Sequence, residues 1–318
     1  MLCVVPLLRA LHQRYPAARI ALVTSPVNHE VMLNNPYVSS VVMYDKREFL
    51  GQASVKLVKF VKFTRKLRDE GFELAIVPST VSTSVTSDMF GYLCGARYRI
   101  GAGEINGVQN SSGVFFNYPV TLNWEEHRHQ TLRHIDVAHG LSLNVSDLSS
   151  EIKLADDEVN EAKAFIGGMQ LEPCSFISFH PGAGKLPNRW AAERFAQVAN
   201  RLSAEFATKM MITHGPMDNE PVSAMTSALT IPYCVVERRS IRQVAAILSL
   251  ARLVISNDTG IMHVAAAVRT PVLSLFGPTD AKQWAPIGTK HRYIVGKGGD
   301  IASITVEEVL AAAREMLR

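Results

Sequence analysis

The segment Leu253-Val-Ile-Ser-Asn-Asp-Thr-Gly-Ile-Met-His-Val-Ala-Ala-Ala267 restricts the fold of this chain more than any other stretch. Leu253 to Ile255 is an apolar run of strand type, Ser256 to Gly260 a tight polar turn, and Met262 to Val268 small, apolar and helix-compatible. Strand, turn and helix in that order leave free backbone N–H groups at the mouth of the helix, where the dipole favours an anion such as phosphate. Asp258 stands at that mouth, Thr259 can donate a hydroxyl, and Gly260 lets a phosphate approach the backbone. His263 lies about one turn in, facing the same way. The alternative is an ordinary turn capped by Asp258 or Thr259.

A second loop of the same kind precedes it. Ser175-Phe-Ile-Ser-Phe-His-Pro-Gly-Ala-Gly-Lys-Leu-Pro-Asn-Arg-Trp190 opens with a strand from Phe176 to Phe179 and breaks at Pro181 and Gly182. A helix follows from about Ala191, with Phe195, Val198, Ala199 and Leu202 on one face. Glycine amides beside Lys185 and Arg189 suit a diphosphate. The loop fits neither the G-x-x-x-x-G-K-[ST] nor the G-x-G-x-x-G spacing. Two phosphate-capable turns at the carboxyl ends of strands nevertheless reinforce each other, because open α/β sheets bind ligands there.

The rest of the chain alternates strands with helices. The first half reads as a helix from Leu2 to Tyr15, strands at Arg19 to Thr24 and Val38 to Tyr44, and a helix from Lys56 to Asp69. A strand at Leu74 to Val77, a helix at Thr86 to Leu93 and a short strand at Tyr98 to Gly101 follow. Gly103 to Asn123 reads as irregular, and Glu126 to His139 as helical. In the second half, strands at Lys209 to Thr213, Tyr233 to Val236 and Val272 to Phe276 alternate with helices, the last from Val306 to Leu317. This pattern implies a parallel, doubly wound sheet in each half. The expected domains are residues 1–150 and 173–318, with 151–172 a linker and a helix. A doubly wound sheet normally opens on a strand, whereas this chain opens on a helix.

Composition narrows the function. A charged fraction of 19% and a hydrophobic fraction of 47% indicate a folded, soluble protein, and a net charge of +4 is too mild for a dedicated nucleic-acid binder. Cys3, Cys94, Cys174 and Cys234 are scattered without a C-x-x-C pair and read as small core residues in a reducing cytosol. No run reaches the ~18 apolar residues of a membrane span, and no signal peptide is evident. Glu125, Glu126, His127, His129, His134 and His139 lack a zinc-type spacing, so no metal site is expected. Lys59, Lys62 and Lys66 share one face of their helix, with Leu57, Phe60 and Val61 elsewhere. That face is either simply solvated or docks on an anionic lipid or precursor. Trp190 and Trp284 read as packing anchors.

With His180-Pro-Gly-Ala-Gly184, Asn188-Arg-Trp190, Ser256-Asn-Asp-Thr-Gly260, Met262-His263 and Phe276-Gly-Pro-Thr-Asp280 in view, the chain resembles the family nine glycosyltransferases, the ADP-heptose:lipopolysaccharide heptosyltransferases. Asn35-Pro36-Tyr37 before the strand that leads to Tyr44-Asp45-Lys46 fits as well, and the likeness covers essentially the whole chain. It implies an α/β GT-B fold: two Rossmann-like, doubly wound domains facing across a cleft, the acceptor on the N-terminal one and the nucleotide-sugar on the C-terminal one. The closing helix is then expected to cross back to the N-terminal domain. Asp258, Thr259, Gly260 and His263 would hold the donor's sugar and phosphates, and Ala183 and Gly184 would offer backbone contacts to the diphosphate. The family's cation just before the loop's Trp falls on Asn188, so Lys185 or Arg189 must supply that charge. Glu220, in preference to Asp218, would bind the ribose.

The family's general base is the aspartate of a Gly-Asp pair that ends the first strand. It would precede Met1, so the first strand of the N-terminal domain is expected to be missing and no catalytic residue is assigned in this chain. Asp45 and Glu48 belong to a later strand end. The helix from Leu2 to Leu11 would then lose the surface it should cover. The implied function is inverting transfer of heptose from ADP-heptose to a lipopolysaccharide core acceptor, in the cytoplasm or peripherally at the inner face of the inner membrane, with no metal or other cofactor. The rivals are a non-catalytic nucleotide-sugar or lipid-precursor binding protein and a nucleotide-sugar epimerase of the same build.

Overall fold

The computed structural model describes residues 1–45, 47 and 53–318; Lys46 and Glu48 lie outside the described residues. By contact the chain divides into two units. One comprises Met1, 3–29 and 37–148; the other comprises Leu2, 30–36 and 149–318. The stretch read as a linker and helix therefore belongs to the second unit.

The first unit runs α1 (Val5–Arg14), β1 (Ala21–Thr24), α2 (Pro26–Met32), β2 (Ser40–Met43), α3 (Ala53–Asp69), β3 (Leu74–Val77), α4 (Val85–Leu93), β4 (Tyr98–Ile105), β5 (Val108–Gln109), β6 (Tyr118–Leu122) and α5 (Gln130–Val137), the end of α2 counting with the second unit. Among the described residues its strands form two separate sheets. β1 pairs in parallel with β2, while β3, β4 and β6 are parallel and the short β5 is antiparallel to β4. Two strands thus lie in the region read as irregular. The apolar helix expected to be uncovered is instead buried, with Val5, Leu7, Leu8, Ala10 and Leu11 at most 8% exposed. Its neighbour α5 supplies cover. α5 begins later than expected because His127 adopts a left-handed φ of 70° and His129 caps the helix, its Nδ1 accepting from Thr131 N. Burial pushes His134 down to about 4, so its ring is neutral near pH 7. Among the described residues no group of three His, Cys, Asp or Glu is placed to hold a metal.

The second unit runs α6 (Asp156–Gly168), β7 (Phe176–His180), α7 (Ala192–Phe206), β8 (Lys209–Thr213), α8 (Asn219–Ala228), β9 (Tyr233–Val236), α9 (Ile241–Leu248), β10 (Leu253–Asn257), α10 (Gly260–Ala267), β11 (Val272–Phe276), α11 (Ala281–Trp284), β12 (His291–Val295) and α12 (Val306–Leu317). Six strands form one parallel sheet in the order β12-β11-β10-β7-β8-β9. β7, β10 and β11 are buried at every position, as expected of strands covered on both faces. Ile177, Phe179, Leu253, Ile255, Leu273 and Leu275 project to one face, where they pack with α7, α8 and α12. α10 packs on β10 and β11. α12 packs in the core of the second unit: Val309, Leu310, Ala313 and Leu317 form a single apolar stripe that fits beside α7. The cysteines divide: Cys3 and Cys94 are buried, Cys234 is half-buried and Cys174 is exposed, so two of the four are not core residues.

A buried arginine ties the periphery of this unit together. Arg242 Nε and Nη2 contact Glu158 Oε1 and Oε2 at 2.5 Å each, and its remaining N–H groups donate to the carbonyls of Leu33 (2.9 Å), Lys153 (2.9 Å) and Glu30 (3.2 Å). The guanidinium holds the Glu158 carboxyl below its ordinary value. Arg242→Ala leaves a carboxylate and three carbonyls without their donor. It is expected to lower unfolding free energy by about 3 kcal/mol in a denaturant titration, as for other broken buried pairs.

Candidate functional site

In a doubly wound sheet the crevice opens where strand order reverses, because neighbouring connections leave on opposite faces. Here the chain steps outward from β7 through β8 to β9, then returns to place β10 on the other flank of β7. The switch point thus lies between β7 and β10, whose carboxyl ends carry the two turns singled out above. Ser256 pairs with His180 in the last rung between them.

Backbone groups at the bottom of such a crevice need partners. Asn257, fully buried, supplies them. Its Nδ2 donates to Pro181 O (2.9 Å) and Gly182 O (3.3 Å), and its Oδ1 accepts from Trp190 N (3.0 Å). Trp190, also fully buried, donates Nε1–H to Ile304 O at 2.9 Å. On the other flank, buried His180 faces Thr213 Oγ1 (Nδ1, 2.9 Å) and Asp218 Oδ2 (Nε2, 3.7 Å). Burial lowers the His180 pKa, which favours the neutral ring. Asp218 Oδ2 also accepts from Gly215 N at 2.8 Å. Gly182 is required here, because a Cβ would stand 2.1 Å from Asp218 Oδ1.

The expected donor residues of the C-terminal half fall on two sides of this frame. On the β10 side are Asp258, half-buried Thr259 and exposed Gly260, with Ala183, Gly184 and Lys185 on the loop opposite. Thr259 is the N-cap of α10, its Oγ1 accepting from Ile261 N at 3.2 Å, while a side chain at Gly260 would meet open space. His263 is half-buried in the first turn of α10. On the β8 side, Arg189 Nη1 contacts Glu220 Oε2 at 2.6 Å and its Nη2 donates to Ala183 O at 3.3 Å. Glu220 is 76% exposed in the first turn of α8, whereas Asp218 is built into the frame.

Sequence reasoning missed a three-residue network. Asn188 Nδ2 donates to Asp258 Oδ2 (3.0 Å) and to Thr279 Oγ1 (2.9 Å), joining the strand ends of β7, β10 and β11. Thr279 had been visible only as part of the Phe276-Gly-Pro-Thr-Asp280 likeness. Lys59, Lys62 and Lys66 belong to the first unit, exposed on α3, while Phe60, Phe63 and Leu67 pack in a core cluster. Val61 sits with the cations, 48% exposed, rather than on the buried face; the Leu57 side chain lies outside the described residues.

Burial raises the Asp258 pKa, opposed by the Thr279 hydrogen bond and the charge of Lys185. The folded chain therefore binds this proton more tightly than the unfolded chain. Stability falls as pH rises from the ordinary carboxylate value toward the raised one. Asp258→Asn keeps the acceptor and removes the charge. The variant is expected to melt above the parent at pH 7.5, with the gap closing toward pH 4; a parent that melts higher at pH 7.5 contradicts this.

Comparison with known proteins identifies the family and the fold. Residues 60–308 match the family model described as glycosyltransferase family 9 (heptosyltransferase). Lipopolysaccharide heptosyltransferase 2 of Escherichia coli K12 is 25% identical over 301 residues, covering 91% of this chain and 82% of that protein. The crystal structure of a family 9 glycosyl transferase from Veillonella parvula superposes with a TM-score of 0.85 at 21% identity, covering 99% of this chain and 93% of the other. E. coli ADP-heptose lps heptosyltransferase II superposes with a TM-score of 0.81 at 21% identity, over 100% and 95%. The fold is GT-B, and the chain belongs to glycosyltransferase family 9.

Proposed function

We propose that the chain transfers heptose, with inversion, from ADP-heptose to a lipopolysaccharide core acceptor. The observation that carries this reading is the meeting of two anion-capable turns at one switch point, with a carboxylate between them. The amides of Ala183 and Gly184, the Lys185 ammonium and the mouth of α10 at Thr259 and Gly260 compensate charge that builds on the departing diphosphate. Arg189 adds to that field while orienting Glu220, which takes the ribose hydroxyls. Asp258 takes hydroxyls of the transferred sugar, and His263 lines the same mouth. Charge compensation by these groups requires no metal. No residue of this chain is assigned as the base that removes the acceptor's proton. Lys59, Lys62 and Lys66 are assigned to the anionic acceptor, held at the inner face of the inner membrane.

Lys185 and Arg189 together are expected to supply two charge-assisted contacts to ADP. Replacing both by Ala should weaken ADP binding by about 100-fold in calorimetry; unchanged affinity would make the loop purely structural. Incubation with ADP-heptose should leave a core acceptor one heptose heavier by mass spectrometry. Donor bound without transfer would instead make the chain a nucleotide-sugar binding protein, and donor converted without acceptor would place it with the epimerases.

A further inference from the structure

We infer that Asn188 is the positioning residue that lets the site tell a sugar-linked donor from a free nucleotide, by aiming Asp258 without cancelling its charge. This rests on the donor-site reading above.

Asn188 stands at the end of the short turn Leu186–Asn188 and is 7% exposed. A side-chain amide has two N–H donors, and its nitrogen contacts Asp258 Oδ2 at 3.0 Å and Thr279 Oγ1 at 2.9 Å. The amide is thereby committed to two groups from different strand ends, which fixes the carboxylate relative to the loop that carries Ala183, Gly184 and Lys185. Its own Oδ1 is buried and, among the described residues, has no hydrogen-bond partner. A buried acceptor left in that state costs free energy, and an apolar side chain would avoid it. The site keeps the amide for what its nitrogen does.

The choice of an amide over a cation has a chemical consequence. A lysine or arginine here would form an ion pair with Asp258 and neutralise it. An amide donates a hydrogen bond and leaves the negative charge. A carboxylate held in this way accepts from sugar hydroxyls and repels phosphate. The diphosphate is thus confined to the Lys185 side and to the mouth of α10, and Asp258 is reserved for the sugar. Thr279 completes the triangle: it accepts from the amide and hydrogen-bonds to the carboxyl.

Asn188→Asp tests this, because it replaces the donor by a second carboxylate about 3 Å from the first. Two such groups cannot both ionise cheaply and come to share a proton. Calorimetry with ADP-heptose and with ADP, from pH 5.5 to pH 8.5, is expected to show the variant about 30-fold weaker than the parent for ADP-heptose at pH 8.5. That loss should shrink toward pH 5.5, while ADP changes far less. Asn188→Ala, which adds no charge, should lose ADP-heptose affinity at all pH values alike. Equal losses for both ligands, or a pH profile parallel to the parent's, would overturn the role given to Asn188. A parent chain that binds no ADP-heptose would sink the donor-site reading instead. The two failures are told apart by melting Asn188→Asp across pH: a deficit that shrinks toward acid shows the side chain facing Asp258, and a pH-independent deficit shows that it does not.

Discussion

The second unit depends on one buried amide. Asn257 closes the base of the crevice between β7 and β10, where the ladder ends and the backbone of the loop after β7 would otherwise be unpaired. A carboxamide can offer two donors and an acceptor at once, and this one uses both kinds on a single loop: donors to Pro181 and Gly182, acceptor to Trp190. Trp190, so anchored, buries its ring edge-on against Phe195 at a centroid distance of 4.9 Å. Core packing and the shape of the loop after β7 are therefore one problem, solved by a residue that contributes no charge.

Electrostatics in the site are arranged by exclusion as much as by attraction. The ionisable groups nearest the loop are each committed. Asp218 accepts from Gly215 N and approaches His180, whose burial favours the neutral form, and Glu220 is paired with Arg189. Lys185 is exposed on the loop itself. Asp258 is the counterweight: its carboxyl is pushed toward the neutral form by burial, and only hydrogen bonds and the Lys185 charge oppose this. A partly desolvated carboxylate held in this way costs the fold some stability.

The two halves were not equally legible from sequence. In the second unit, near-continuous apolar runs bounded by Gly, Pro and Asn mark strands buried on both faces, and β7, β8, β10 and β11 coincide with such runs. β12 was missed because His291-Arg-Tyr-Ile-Val295 is an edge strand, half-exposed and without that signature. In the first unit β6 was missed because Tyr118-Pro-Val-Thr-Leu122 carries a proline, and β4 was cut short at Gly101 although it runs on to Ile105. The turns that form the site were legible because local spacing alone makes a helix mouth. The bonds that hold it were not, because Asn188, Asp258 and Thr279 are 70 and 91 residues apart along the chain and meet only when the sheet is complete.

The dependence of the loop after β7 on Asn257 is tested most directly by hydrogen exchange on Asn257→Ala, followed across residues 181–190 with Trp190 as the central probe. The Trp190 amide should lose its protection while amides within β8 and α7 keep theirs, and ADP affinity should fall by about 10-fold with the loosened loop. Retention of both Trp190 protection and parental ADP affinity would contradict the dependence, and would show that the loop holds its shape without the amide beneath it.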